Sequence, residues 1–215
     1  VTAALELVDL RVVSSAGRQL EIDRLVVDSA QLLVVTGGTD SSKTLLASVI
    51  AGRVDATGAV RVDGHALNGG PAARRRHGLA VTVADGGRIA GCTVHEALRL
   101  AGSGRAGAAL ERFSLLARRA QVRAELLSGG EQQLLQVACA WCANSRVLVL
   151  DAPTTGLADD VAQLVRQTAR ETAAAGAGVL WLDQNAGSAP SGATLVLAGG
   201  VLSALPAAAS PSDPA

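Results

Sequence analysis

The chain has 215 residues, 49% hydrophobic and 18% charged, a balance that excludes a disordered or collagen-like polymer and allows one buried core, with at most a small subdomain beside it. Lys+Arg and Asp+Glu are 19 each, so no global field directs the molecule to nucleic acid or to an anionic membrane surface. The apolar runs break before the roughly 18–20 residues that a spanning helix needs, no charged-then-apolar leader opens the chain, and three sparse cysteines make no disulfide framework, so the cytosol is expected.

In chain order, the alternation in LELVDLRVV (5–13) predicts a strand, and the apolar run QLLVVTGG (31–38) predicts another that stops at glycines. SSKTLLASVIAG (41–52) then has helical spacing and a stop at Gly52. Strand, glycine turn and helix are the framework of a phosphate site. GAVRVDGHAL (58–67) reads as a strand and turn, and GLAVTV (78–83) as a further strand. From about 94 to 126 the pattern is helical and Arg/Ala-rich, broken by glycines at 102, 104 and 107, which predicts a small helical subdomain within about 85–127. A helix over 130–144, a buried strand over 147–151, a helix over about 158–175 and the strand GVLWLD (178–183) restore the alternation of a parallel sheet covered on both faces. One domain is expected over 1–205, followed by a tail at 206–215 whose composition is that of disorder.

Three stretches carry chemistry. GGTDSSKT (37–44) can be laid on G-x-x-x-x-G-K-[ST], with Gly37 first, Ser42 in the second glycine position, then Lys43 and Thr44. In such a loop, backbone N–H groups cradle phosphates, the lysine reaches the outer phosphates and the hydroxyl binds Mg²⁺, so Gly37, Gly38, Thr39, Asp40, Ser41, Ser42, Lys43 and Thr44 are the candidate nucleotide residues. The alternative is an ordinary glycine turn before a helix. Against it, Lys43 is the single lysine of a chain that otherwise uses arginine, placed where a compact point charge is wanted. VLVLDAPTTGL (147–157) is a buried strand ending in Asp151 beside a turn proline, a common way to hold a metal next to a nucleotide. In LSGGEQQ (127–133), Ser128 and two glycines open a helix whose donors can meet a phosphate. Cys139 and Cys142 form a CxxC with no second pair and no nearby histidine, and are read as small apolar helix residues.

LSGGEQQ resembles the signature of ATP-binding cassette proteins. ERFSLLARRAQ ahead of LSGGEQQLLQVA, LDQNAG (182–187), and RRRHGLAVTV followed by GGRIAGCTVHEAL are similar to the second ATPase subunit of branched-chain amino-acid importers, over about residues 3–205. The resemblance implies an α/β fold, a P-loop NTPase cassette with a mostly parallel sheet core, an N-terminal antiparallel β subdomain and a small helical subdomain. It implies ATP and Mg²⁺ as cofactors, with Thr44 and Asp151 at the metal. Cassettes pair head to tail, so Ser128, Gly129, Gly130 and Gln132 would serve a nucleotide held by the partner's loop. The implied partners are a second ATPase subunit and integral-membrane permease subunits, with no nucleic acid, on the cytoplasmic face of the cell membrane.

The sequence also departs from that pattern. Asp40 and Ser42 stand where glycines are usual. A non-glycine at positive φ costs about 1–2 kcal/mol, and an Asp40 carboxylate facing phosphate would repel it by roughly 3 kcal/mol, about a hundredfold in affinity. Ala152 replaces the glutamate that positions the attacking water, and Ala84 replaces the glutamine or glutamate of the Mg²⁺-sensing loop. Gln184 in the switch position and Ala158 are familiar in the subgroup. No aromatic lies at Ser14–Gly17 to stack an adenine, which forgoes about 1–3 kcal/mol. Slow or absent hydrolysis at the chain's own site is expected, and no catalytic residue is assigned. Two readings stand: an energy-coupling ATPase, or a non-catalytic subunit whose signature completes the partner's site. Soluble cassettes of DNA repair or translation fit less well, because they carry tandem copies or long insertions.

Overall fold

The computed structural model of the chain describes residues 2–39, 42–84, 87–184, 187 and 189–204. Its first unit is antiparallel. β1 (Ala3–Val13) pairs with β2 (Gln19–Asp28), Leu5 opposite Val27, Leu7 opposite Leu25 and Leu10 opposite Ile22. Period-two alternation collects Leu5, Leu7, Leu25 and Val27 on one buried face, and an irregularity at Asp9 (φ 50°) returns Leu10 and Ile22 to it. The other face carries ion pairs, Arg11 to Glu21 at 3.0 Å and Arg24 to Glu6 at 3.0 Å. β4 (Thr57–Val62) and the short β5 (His65–Ala66) extend this unit outward from β1.

The second unit is parallel. β3 (Leu32–Thr36), β6 (Leu79–Thr82), β7 (Val147–Asp151), β8 (Gly178–Asp183) and β9 (Ala193–Ala198) run the same way. β10 (Val201–Ala204) turns back on β9 and meets β2 at Val201 opposite Glu21, joining both units in one ten-stranded sheet of order β5-β4-β1-β2-β10-β9-β3-β8-β7-β6.

The parallel strands are apolar on both faces because both are covered. Val147, Val149, Leu180 and Leu182 join the core shared with the antiparallel unit and with α1 (Lys43–Ile50). Leu148, Leu150, Val179 and Trp181 pack on the other side, against α3 (Val94–Gly102), α6 (Gly129–Cys142) and α7 (Asp159–Ala174). Between α3 and α6 lie two short helices, α4 (Ala106–Arg112) and α5 (Ser114–Ala117), and α2 (Pro71–Arg76) precedes β6. Capping boxes open α3 (Thr93 with Glu96) and α6 (Ser128 with Glu131). Trp141 closes the helical region, edge-on to Phe113 at 6.2 Å, with the Arg105 guanidinium 3.8 Å from its ring centre.

The mostly parallel core, the antiparallel β unit and the helical region agree with the expected fold class. The strand over 178–183 and the strand over 147–151 have the expected limits, and the helix expected over 130–144 spans Gly129–Cys142. Composition alone had given no element to 19–28, 71–76 or 193–204, which hold β2, α2, β9 and β10. No helix among the described residues is long and apolar enough to cross a membrane.

Candidate functional site

The C-terminal ends of the parallel strands converge on the start of α1, the place where open α/β sheets bind ligands. β3 delivers the loop that begins at Gly37, and α1 begins at Lys43. Ser42 precedes it in the left-handed region (φ 68°, ψ 18°), so the sequence pattern that wants glycine there does so for backbone reasons. The Ser42 hydroxyl donates to the Gln19 carbonyl of β2 at 2.8 Å, a bond that offsets part of the strain. Asp40 and Ser41 lie outside the described residues. Gly37 and Gly38 present their carbonyls to the Lys43 ammonium, at 2.6 and 2.9 Å, which lays the charge across the loop. Open space surrounds Gly38 where a Cβ would be. Burial lowers the Lys43 pKa below the usual lysine value, against the opposing pull of the Asp151 and Asp183 charges.

Asp151 ends β7 with 1% exposure. Its N–H donates to the Thr82 hydroxyl at 3.2 Å, and its Oδ2 accepts from the Ala84 N–H at 3.0 Å. Ala84 thus contributes a backbone donor where a side-chain amide or acid was expected. Ala152 follows at φ 45°, its N–H on the Leu182 carbonyl at 2.9 Å and its carbonyl accepting from Gln133 Nε2 at 3.2 Å. A methyl group here offers neither a proton acceptor nor a hydrogen bond.

Among the described residues no side chain caps α1, and no acid occupies its first turn, unlike α3 and α6. With Lys43, Thr44 and the buried Asp151 carboxylate, this donor and acceptor set fits a phosphate chain and a hard divalent ion.

The signature helix behaves differently. Ser128 caps α6, accepting from the Glu131 N–H at 3.3 Å, while Glu131 accepts from the Ser128 N–H at 2.9 Å and from Arg119 at 2.9 Å. The Ser128 N–H with Arg119 holds the Glu131 carboxyl below its usual pKa. Gly130 approaches the Gly156 carbonyl so closely that a Cβ would sit 2.7 Å from it. Gln132 is turned inward: its Nε2 donates to the Ile89 carbonyl at 3.1 Å and to the Ala124 carbonyl, and its Oε1 accepts from the Ile89 N–H at 3.1 Å. Only 3% exposed, it ties the signature helix to the segment after β6 and reaches no surface. Cys139 and Cys142 are thiols that burial pushes up to about 12 and about 11, the values of packing residues and not of nucleophiles.

Sequence reasoning passed over Asp183 and Gln133. Asp183 ends β8 at 7% exposure, accepting from the Trp181 indole N–H at 3.1 Å and the Gln184 N–H at 2.7 Å. The signal was available, since GVLWLD ends in an acid just as VLVLD does.

A phosphate loop, a strand-end acid and a capped signature helix on one sheet define a nucleotide-binding cassette. Residues 20–155 match the ABC transporter family, and the chain belongs to it as an ATP-binding cassette subunit. It is similar to the high-affinity branched-chain amino acid transport ATP-binding protein BraG of Pseudomonas aeruginosa, 28% identical over 173 residues that make 76% of this chain and 74% of that one. The probable branched-chain amino acid transport ATP-binding protein LivF of Archaeoglobus fulgidus is 31% identical over 144 residues, 62% of this chain and 61% of that one. Among solved structures, the ATP-binding subunit of an ABC transporter shares the fold with a TM-score of 0.76 at 24% identity, over 94% of this chain and 90% of that one.

Proposed function

We propose that the chain is one of two ATPase subunits of an importer of the branched-chain amino-acid type, holding Mg-ATP weakly at its own phosphate loop and turning it over slowly. The observation that carries this reading is Ala152: a methyl at the end of β7, beside a retained Asp151, where an attacking water would need an acceptor. General-base assistance is typically worth 10²–10⁴ in rate, so the loss is large without touching binding. Lys43 neutralises phosphate, and the start of α1, where Ser42 makes no side-chain cap, directs backbone N–H groups to it. Thr44 and Asp151 would hold Mg²⁺, whose charge would stabilise the transferring phosphoryl oxygens.

The signature is intact, so Ser128, Gly129 and Gly130 face a second cassette subunit and complete its ATP site, while Gln132 keeps their helix in place from inside. The relatives named for branched-chain amino acid transport support this solute class, and a seat on the inner face of the membrane beside permease subunits belongs to the same proposal. The purified chain is expected to bind Mg-ATP by titration calorimetry, to lose that binding in Lys43→Ala, and to hydrolyse at least tenfold faster as Ala152→Glu. Turnover at ordinary transporter rates by the unmodified chain alone would sink the proposal.

A further inference from the structure

Ala152 lacks a carboxylate, but the neighbouring strand has one at the same level. In the ladder between β7 and β8, Asp151 stands opposite Leu182, and the Ala152 N–H continues the pattern by donating to the Leu182 carbonyl at 2.9 Å. The ladder ends at that pair, and this bond keeps the Ala152 backbone beside the Leu182–Asp183 peptide, about one strand spacing of 4.8 Å away. Alternation puts Asp183 on the face of Trp181, the face that Leu148 and Leu150 share on β7, and not on the face of Asp151. Asp183 is therefore no second copy of the metal acid; it ends the strand that neighbours the one whose following glutamate is missing.

The Asp183 carboxylate is also held in place. Oδ2 accepts from the Trp181 indole N–H at 3.1 Å and Oδ1 from the Gln184 N–H at 2.7 Å, which leaves about two of the roughly four acceptor positions of a carboxylate for another donor. Its charge, like that of Asp151, opposes the desolvation that lowers the Lys43 pKa. The pairing of β7 with β8 up to Leu182, anchoring by an indole and the charge acting on the loop lysine are separate observations with one reading.

We propose that Asp183 is the general base for the slow turnover of this chain's own site, replacing from β8 the acceptor that β7 has lost. This rests on the nucleotide reading above. The attacking water gives one proton to the Asp183 carboxylate as its oxygen bonds to the terminal phosphorus of ATP. The bond from that phosphorus to the bridging oxygen breaks, the bridging oxygen leaves with ADP, and the proton passes on to the released phosphate. One strand of lateral displacement costs alignment, which is why turnover is slow.

The test uses the full chain, with Lys43→Ala as the blank, and follows Mg-ATP by calorimetry, phosphate release and, in a Trp141→Phe background, the emission of Trp181. Asp183→Asn is expected to bind Mg-ATP within about threefold of the unmodified chain, to drop turnover to the blank, and to lose the ATP-dependent change in Trp181 emission. Adding Ala152→Glu to Asp183→Asn is expected to restore turnover, which a merely structural role for Asp183 would not allow. Undiminished turnover in Asp183→Asn, no turnover above the blank in the unmodified chain despite binding, or no rescue in the double variant would each overturn the assignment while leaving the nucleotide site standing. Failure of the unmodified chain to bind Mg-ATP would instead overturn the nucleotide reading itself, and Asp183 with it.

Discussion

Ser42 concentrates the compromise made by the phosphate loop. Its φ of 68° costs about 1–2 kcal/mol in a residue with a Cβ, and its hydroxyl recovers about 1 kcal/mol through the Gln19 carbonyl. Ser42→Ala keeps the strain and loses the bond, so it is expected to lower the thermal midpoint by about 2–4 °C. Ser42→Gly sheds both, so its midpoint should stay within about 2 °C of the unmodified chain; calorimetric melts of the two variants check the pair. The positive φ was legible in the sequence, because Ser42 fills a glycine position of a known loop pattern. The compensating bond was not, because it needs β2, where the adjacent exposed residues Asp23 and Arg24 break the apolar alternation. Asp183 escaped notice for a similar reason: strand register, and not spacing along the chain, brings it beside Ala152.

At the scale of elements, the helical region is pinned by a few polar groups. Gln132 satisfies both backbone groups of Ile89 and the Ala124 carbonyl. Gln132→Leu strands these groups and is expected to cost about 2–4 kcal/mol in a urea titration, with nucleotide affinity of the chain's own loop unchanged. The carboxyls of Glu96, Glu125 and Glu131 all have lowered pKa values, chiefly through backbone N–H bonds from Thr93, Glu125 itself and Ser128. All three lie between α3 and the start of α6. Lowered carboxyls stabilise the fold above their unfolded pKa of about 4.3, and that contribution disappears as pH falls through the lower folded values. Acidification below about pH 4 should therefore loosen the helical region before the sheet, read as an earlier change in Trp141 than in Trp181 emission from single-tryptophan variants. A coincident change would show that these caps are not what limits the region. The sequence announced the helices; their capping boxes were not read from it, and the inward turn of Gln132 depends on the Ile89 backbone lying against α6.

Across the whole molecule, the proposed function gives two surfaces different duties. The strand ends hold the candidate phosphate loop with Lys43, the buried Asp151 and a methyl at position 152. The start of α6 carries a complete, well-capped signature. In a head-to-tail pair these surfaces belong to different ATP sites, so damage to one need not silence the other. The division of labour is testable because the two surfaces can be changed separately. The most direct measurement is ATP hydrolysis by the assembly that co-purifies with the tagged chain, carrying either Lys43→Ala or Ser128→Arg in this chain. The account predicts that Lys43→Ala leaves most of the turnover, while Ser128→Arg, in a chain that still folds by circular dichroism, removes at least nine-tenths of it. Equal loss in both variants, or loss confined to Lys43→Ala, would contradict the asymmetric assignment.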